Sequence, residues 1–181
     1  MQNIANSADI NKQVETYMNN LDFVFSQFYQ IADNKLYSGK FWLRKEKGIT
    51  NVRLEYTEGV KQNIYIYGDK VVIVDAKGKE KSFSISRTPV FAVLTGKLNL
   101  TKEQTEIVEN SDQSLKIKIS SYKSGEITLL FSKYEFTKNI KDLEGWIYKE
   151  EQRETLFTFD PDTWSVKNAK NVPLDVFEKR H

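Results

Sequence analysis

The feature of this chain that most limits its fold is a series of four short strand patterns between residues 36 and 100. Dipeptides that contain glycine separate them, and glycine readily supplies the positive φ angles that tight hairpin turns require. Because such short turns can join only antiparallel neighbours, the series predicts an antiparallel meander. The predicted strands are 36–46, 51–58, 62–67 and 71–74.

The side chains of these strands predict which faces are buried. Between residues 52 and 57 apolar side chains alternate with Arg53, Glu55 and Thr57, so this strand has one face in water. Residues 64–67 and 71–74 are apolar on both faces, which is typical of strands that are covered on both sides. We therefore expect a helix to cover one side of the sheet.

Two helices are predicted. Apolar residues recur at helical spacing from Ile10 to Leu21, and Ser7 is placed to cap the first turn of this helix. A second, short helix follows Thr88, with Pro89 in its first turn and Gly96 at its end. It is apolar nearly all round, so it is either buried or a lid whose apolar side needs a hydrophobic partner.

The second half of the chain adds further strand patterns up to residue 170, and residues 101–110 favour a strand over a helix. The total is about eleven or twelve strands and two helices in one domain, residues 1–181. The predicted fold class is therefore mainly β (α+β), with a barrel or strongly curved sheet rather than a sandwich of standard size.

Composition excludes several functions. There is no cysteine and the one histidine is the terminal His181, so thiolate and histidine catalysis and metal sites built on these residues are excluded. We expect no cofactor, no metal and no enzymatic activity. Net charge is only +2, with both signs interspersed, which argues against nucleic acid as a partner. No apolar run reaches 18 residues, so stable membrane insertion is not expected.

Several segments, in this order, resemble the LolA family of periplasmic lipoprotein carriers. They are Gly39-Lys-Phe-Trp-Leu-Arg-Lys, Val52-Arg-Leu-Glu-Tyr56, the segment from Thr88-Pro89 to Leu94, Leu143-Glu-Gly-Trp146 and Asn171-Val-Pro-Leu-Asp-Val-Phe177. The resemblance implies an incomplete, unclosed antiparallel barrel of about eleven strands, with an N-terminal helix and a short lid helix over an apolar cavity.

The same resemblance implies a function without covalent chemistry. A carrier of this family takes acylated lipoproteins from an inner-membrane ABC transporter and delivers them to an outer-membrane acceptor. We accordingly expect a monomer in the periplasm, reached through a signal peptide that would precede Gln2. For the acyl chains we predict contacts from Phe23, Phe25, Phe41, Leu43, Leu54, Tyr56, Ile64, Ile66, Val72, Val74, Phe91 and Leu94. A slip of one residue in any strand would exchange its two faces.

The resemblance also implies a latch, because the family carries an arginine that holds the lid shut. Here the corresponding segment is Arg44-Lys-Glu-Lys-Gly48. Ungapped counting favours Lys45, whereas the multi-donor guanidinium favours Arg44, so both are candidates.

Three other functions stay open. An outer-membrane lipoprotein acceptor of the same fold would need a lipidated N-terminal cysteine. A sensor or scaffold would bind a protein partner and have a filled interior. A hydrolase that uses carboxylates alone would need two buried acidic groups facing one cleft.

Overall fold

The computed structural model describes residues 4–87, 89–95, 98–100, 104–121, 125–167 and 174–177. Within these residues the chain forms two α-helices and twelve strands. They are α1 Ile4–Asn19, β1 Phe23–Ala32, β2 Lys35–Glu46, β3 Ile49–Glu58, β4 Gln62–Tyr67, β5 Lys70–Asp75, β6 Glu80–Ser84, α2 Pro89–Thr95, β7 Gln104–Asn110, β8 Ser114–Ser121, β9 Gly125–Lys133, β10 Ile140–Glu150, β11 Arg153–Phe159 and β12 Ser165–Lys167. Short 3-10 helices follow β6, at Ile85–Arg87, and lie near the C-terminus, at Leu174–Phe177.

The strands form one antiparallel sheet in the order β6-β5-β4-β3-β2-β1-β11-β10-β9-β8-β7. Short hairpins account for most of this order, but β1 and β11 are far apart in sequence and still pair, from Phe28 with Phe159 to Ala32 with Thr155. The short strand β12 pairs with the first residues of β1. The sheet is not closed into a barrel, and β6 and β7 are its edges. The predicted unclosed antiparallel barrel with helices is confirmed, with twelve strands rather than about eleven.

One face of the sheet, called here the inner face, carries the main hydrophobic core. Strands from both halves of the sheet contribute to it, for example Phe41 and Leu129. Both helices pack on the same face, since Val14 and Met18 of α1 and Leu94 of α2 belong to this core. The curved sheet therefore encloses the helices on its inner face.

The opposite, outer face carries a second and smaller core. Phe23 of β1 and Phe177 of the C-terminal 3-10 helix are both buried there. Arg53 Nη1 donates a hydrogen bond to the carbonyl oxygen of Val176 at 3.0 Å, and the Tyr67 hydroxyl donates to that of Phe177. The C-terminal segment 174–177 thus covers part of the outer face, which is one reason that strands in this half are apolar on both faces.

Several details differ from expectation or lie outside the described residues. Helix α1 begins at Ile4, so Ser7 lies inside the helix and does not cap it. Strand β6 was not predicted, because its residues Glu80-Lys-Ser are polar, as is common for an edge strand. The segment 104–110 is a strand, as the sequence predicts.

Two predicted features lie outside the described residues. Thr88 and Gly96, predicted to bound the second helix, are not among the described residues. No helix in the described part of the chain has the length and apolarity to cross a bilayer.

Candidate functional site

A cleft of about 320 Å³ lies between α2 and the inner face of the sheet. Its floor is apolar and comes from four strands: Leu54, Ile64, Trp146 and Phe157. Val90 and Phe91 of α2 form its cover. Its remaining lining residues are polar or have a polar tip: Gln30, Tyr56, Tyr148, Glu150 and Thr155. The volume is at the lower end of the range of about 300–1,000 Å³ that is usual for small-molecule sites.

The floor is held in place by stacked aromatic rings. Trp146 and Phe157 are cross-strand partners on β10 and β11, and their rings stack at a centroid distance of 4.2 Å with an angle of 5°. Phe28 stacks on the other side of Phe157 at 4.6 Å. Such direct cross-strand aromatic pairs stabilise a sheet and fix its register. The stacked rings therefore fix the relative positions of β1, β10 and β11 beneath the cleft.

The polar lining residues gather at one end of the strands, called here the mouth. Tyr148 and Thr155 are cross-strand partners near the hairpin that joins β10 to β11, and Glu150 is the last residue of β10. The Tyr56 hydroxyl donates a 2.6 Å hydrogen bond to Gln30 Oε1. Burial raises the pKa of Tyr56 above its ordinary value, so this phenol stays a neutral donor at physiological pH.

Few polar contacts hold α2 over the cleft. Leu94 is 2% exposed and is its most deeply buried described residue, whereas Phe91 and Val93 are half-buried. The Thr50 hydroxyl donates a hydrogen bond to the carbonyl oxygen of Thr95 at 3.1 Å, where the helix ends. The Thr95 hydroxyl donates back to Phe91 within the helix. Among the described contacts, the cover is thus held to the sheet mainly by apolar packing.

The two candidate latch residues occupy different faces. Lys45 lies on the inner face, and its Nζ atom donates a 2.8 Å hydrogen bond to the carbonyl oxygen of Met18 near the end of α1. Its cross-strand partner is Thr50, which contacts the end of α2. This Lys45–Thr50 pair therefore joins the last turns of both helices to the β2–β3 hairpin. The negative end of the α1 dipole also stabilises the positive charge of Lys45.

Arg44 points to the outer face, where it is buried and contacts Glu46 instead of a helix. It is 6% exposed, and its Nη2 atom lies 2.6 Å from the carboxylate of Glu46. Its Nε and Nη1 atoms have no hydrogen-bond partner among the residues that the structure describes. Of the two candidates, the structure therefore brings Lys45 next to the helices.

Helix α1 is also joined to the chain that follows α2. The Asn19 amide binds both backbone groups of Leu98, donating to its carbonyl oxygen at 3.2 Å and accepting from its amide at 3.0 Å. The amide of Leu100 donates to Glu15 Oε1 at 2.5 Å. Residues 98–100 are thereby fixed on α1 by contacts that do not involve α2.

Lys45 leads to a prediction on pH. Burial lowers its pKa from the usual 10.5, and the carboxylate of Asp22 opposes this shift. The folded protein therefore releases this proton at lower pH than the unfolded chain, and the folded state gains stability as pH rises towards 10.5. We expect the difference in free energy of unfolding between wild type and Lys45→Met to shift in favour of wild type as the pH rises through the alkaline range towards 10.5. Urea unfolding of both proteins measures it. If the difference in free energy of unfolding between the two proteins did not depend on pH, the pKa of Lys45 would not be lowered by folding.

The twelve predicted acyl-chain contacts divide between the two faces. Eight lie on the inner face or in α2: Phe41, Leu43, Leu54, Tyr56, Ile64, Ile66, Phe91 and Leu94. Of these, Leu54, Tyr56, Ile64 and Phe91 line the cleft. The other four, Phe23, Phe25, Val72 and Val74, are on the outer face, because Phe23 and Phe25 belong to the outer core and Val72 pairs with Tyr65 rather than Ile66. In the same two strands, the residues that belong to the inner-face core are Val24, Phe28, Val71 and Ile73.

The prediction did not include the aromatic floor. Trp146 and Phe157 come from strands that are distant in sequence from the meander, and they reach the cleft only because β11 pairs with β1. Period-two alternation of Phe157 and Phe159 was the available signal for a buried strand face. It does not say which other strands share that face.

No protein-family model matches this chain, and no curated protein matches its sequence. Solved structures do match its fold. The crystal structure of MucB has a TM-score of 0.59 at 12% identity, over 97% of this chain and 63% of the MucB chain. MucB in the MucA/MucB complex from Pseudomonas aeruginosa has a TM-score of 0.53 at 12% identity, over 95% and 61% of the two chains.

A third similar structure matches this chain over nearly its whole length. An uncharacterized conserved protein from Thermus thermophilus has a TM-score of 0.55 at 10% identity, over 94% of this chain and 96% of that chain. This chain spans less than two thirds of MucB. At these identities the likeness is one of fold.

Proposed function

We propose that this protein is a periplasmic carrier that binds the acyl chains of lipoproteins in the cleft beneath α2. The observation that supports it most directly is the cleft itself, with an apolar floor, an apolar cover and a polar mouth. The resemblance of the sequence to the LolA family points the same way. In this proposal an inner-membrane ABC transporter supplies the lipoprotein and an outer-membrane acceptor receives it, and no covalent step occurs.

The energetics favour such a site. Each methylene group of an acyl chain that leaves water is stabilised by about 0.8 kcal/mol, so even part of one chain provides substantial binding free energy. A cleft of about 320 Å³ is too small for several chains, given that drug-sized ligands occupy sites of about 300–1,000 Å³. The described conformation is therefore the closed form, and α2 must move outwards to admit a triacylated group.

The contacts around α2 support this movement. Its described polar contact to the sheet is the hydrogen bond from Thr50, worth on the order of 1 kcal/mol. Residues 98–100 are fixed on α1 and do not depend on the position of α2. A ligand that replaces the apolar contacts of α2 can open the cleft at little net cost, and the same contacts close it on release.

Trp146 provides the test, because it is the tryptophan that lines the cleft. Trp42 belongs to the outer core, and Trp164 packs against the main core without lining the cleft. A triacylated lipopeptide with brominated acyl chains should quench tryptophan fluorescence saturably. The Trp146→Phe variant should lose most of this quenching while still binding the lipopeptide in a separation assay. Quenching that persists unchanged in Trp146→Phe, or no binding at all, would overturn the proposal.

A second function has one observation in its favour. MucB, which shares this fold at 12% identity, has been solved in complex with MucA. A protein of this fold can thus bind a protein partner, and a sensor that does so without acyl ligands is the alternative. It predicts no lipopeptide uptake, so the quenching experiment separates the two functions.

A further inference from the structure

We infer that the side-chain amide of Gln30 is a binding site for the carbonyl oxygen of an acyl group, so that the cleft distinguishes acyl esters and amides from alkyl ethers of the same length. This inference rests on the proposed function and specifies how its ligand is recognised. It depends on the place of Gln30 beside the aromatic floor and on its hydrogen bond with Tyr56.

Gln30 is a polar residue in the row of the aromatic floor. Its cross-strand partner is Phe157, whose own partner is Trp146, so the three side chains form one row across β1, β11 and β10 on the inner face. Thr155 and Tyr148 form the next row towards the β10–β11 hairpin. The half-buried amide of Gln30 therefore lies at the inner limit of the mouth, next to the aromatic rings.

Tyr56 fixes the direction of the Gln30 amide. Its hydroxyl donates the 2.6 Å hydrogen bond to Gln30 Oε1, and Tyr56 is only 8% exposed. A reversed amide would turn its NH₂ group towards this hydroxyl and leave the buried hydroxyl hydrogen without that acceptor, which is costly. The Nε2 atom makes no hydrogen bond to another residue that the structure describes. Its N–H groups are thus free to donate to a ligand.

The other polar lining groups fit this role less well. The Tyr148 hydroxyl is hydrogen-bonded to Glu150, and an ionised carboxylate offers acceptors but no donor. A hydroxyl group rotates to donate or to accept, so Thr155 does not select for a carbonyl oxygen. Among the described lining residues, Gln30 is therefore the one whose donors are held in one direction by a second side chain.

A carbonyl oxygen bound at Gln30 also sets the direction of the ligand. On β2, Gln30 pairs with Tyr37 near the mouth, whereas Leu54 pairs with a position further from it, Phe41. The alkyl chain beyond the carbonyl would lie over Leu54 and beneath Phe91, and the rest of the ligand would leave through the mouth. An acyl carbonyl in this place exchanges water for a hydrogen bond, but an ether has no carbonyl oxygen to offer.

The test compares two ligands with the same chain, a glycerol monoester and the corresponding glycerol monoether. Each displaces the brominated lipopeptide, and recovery of Trp146 fluorescence gives its affinity. Wild type should bind the ester more tightly than the ether. Gln30→Met keeps the length of the side chain and removes the amide, so it should lower the ratio of ester affinity to ether affinity about fivefold, the factor that corresponds to one neutral hydrogen bond.

Two further variants separate a lost donor from general damage to the cleft. Gln30→Glu keeps an acceptor for the Tyr56 hydroxyl but has no donor when ionised, so the ratio should fall at least as far as in Gln30→Met. Tyr56→Phe keeps the ring and releases the amide, which should lower the ratio by a smaller factor. Because the ratio is measured within one variant, a loss of affinity that is common to both ligands cancels.

The matched control is Gln27→Met, the same substitution on the same strand. Gln27 is exposed and lies on the outer face of β1, since it is an odd number of residues from Gln30. This variant should keep the wild-type affinity for both ligands. If Gln27→Met lowered the ratio as much as Gln30→Met, the effect would not come from a donor in the cleft.

The outcomes separate this inference from the proposed function. If the brominated lipopeptide does not bind wild type, the carrier function fails. If it binds, but wild type holds the ether as tightly as the ester or Gln30→Met leaves their ratio unchanged, the carrier function stands and the assignment of Gln30 is wrong. An unchanged ratio in Tyr56→Phe would show that Tyr56 does not orient the amide.

Discussion

Phe91→Asp should weaken binding of acyl ligands by at least about tenfold, because it places a carboxylate on the side of α2 that covers the cleft. The closed cleft would bury this charge against Leu54 and Ile64, where no basic side chain lines the site among the described residues. The helix would therefore favour an open position, and an acyl chain would contact a charge instead of an aromatic ring. Titration of the brominated lipopeptide by tryptophan quenching measures the loss.

Phe136 provides the matched control for this substitution. It is 92% exposed in the turn between β9 and β10 and does not line the cleft. Phe136→Asp introduces the same charge and should bind the lipopeptide like wild type. If Phe91→Asp bound as tightly as Phe136→Asp, while both variants kept the wild-type unfolding midpoint, α2 would not be the cover of a ligand site.

Phe157→Ala should lower the free energy of unfolding by about 3–5 kcal/mol, the usual cost of truncating a buried phenylalanine. Phe157 is 2% exposed and lies between the rings of Trp146 and Phe28, with Phe159 at 5.3 Å. Removing its ring unstacks both neighbours and leaves a cavity at the junction of β1 and β11. Urea unfolding followed by circular dichroism gives the change.

The control is again at Phe136, where truncation to alanine should change the free energy of unfolding by less than about 0.5 kcal/mol, as is usual for exposed sites. A cost below about 1 kcal/mol for Phe157→Ala would show that the stacked floor can collapse around the missing ring. Because Phe157 also lines the cleft, lipopeptide affinity should be measured only under conditions where the variant is folded.

Much of the fold could be predicted, because glycine turns and strand patterns in the sequence agree with the strands that the structure forms. The meander from β2 to β5 was predicted from glycine turns and strand patterns, and its register follows from hairpin geometry. Strand β3 alternates between apolar and polar residues, and Leu54 and Tyr56 lie together on its inner face. These are short-range properties that a sequence displays directly.

The four predicted contacts that lie on the outer face show the limit of such signals. In β1 and β5 apolar side chains occupy both faces, so alternation cannot say which of Phe23 or Val24, or of Val71 or Val72, faces inwards. In β1 the decision comes from segment 174–177, which packs on the outer face and buries Phe23 there. In β5 it comes from pairing with β4, which places Val71 beside Ile66 on the inner face. A contact between residues about 150 positions apart leaves no periodic trace in the chain.

The sequence by itself determined the antiparallel strands, the apolar character of the two helices and the lack of cysteine and internal histidine. The tertiary structure alone decided that Lys45 rather than Arg44 contacts the helices, and that Trp146 and Phe157 form the floor of the cleft. The physical reason is that strand geometry is set by neighbouring residues. A cleft, in contrast, depends on which distant strands pair, and the pairing of β1 with β11 is set by packing of the whole sheet.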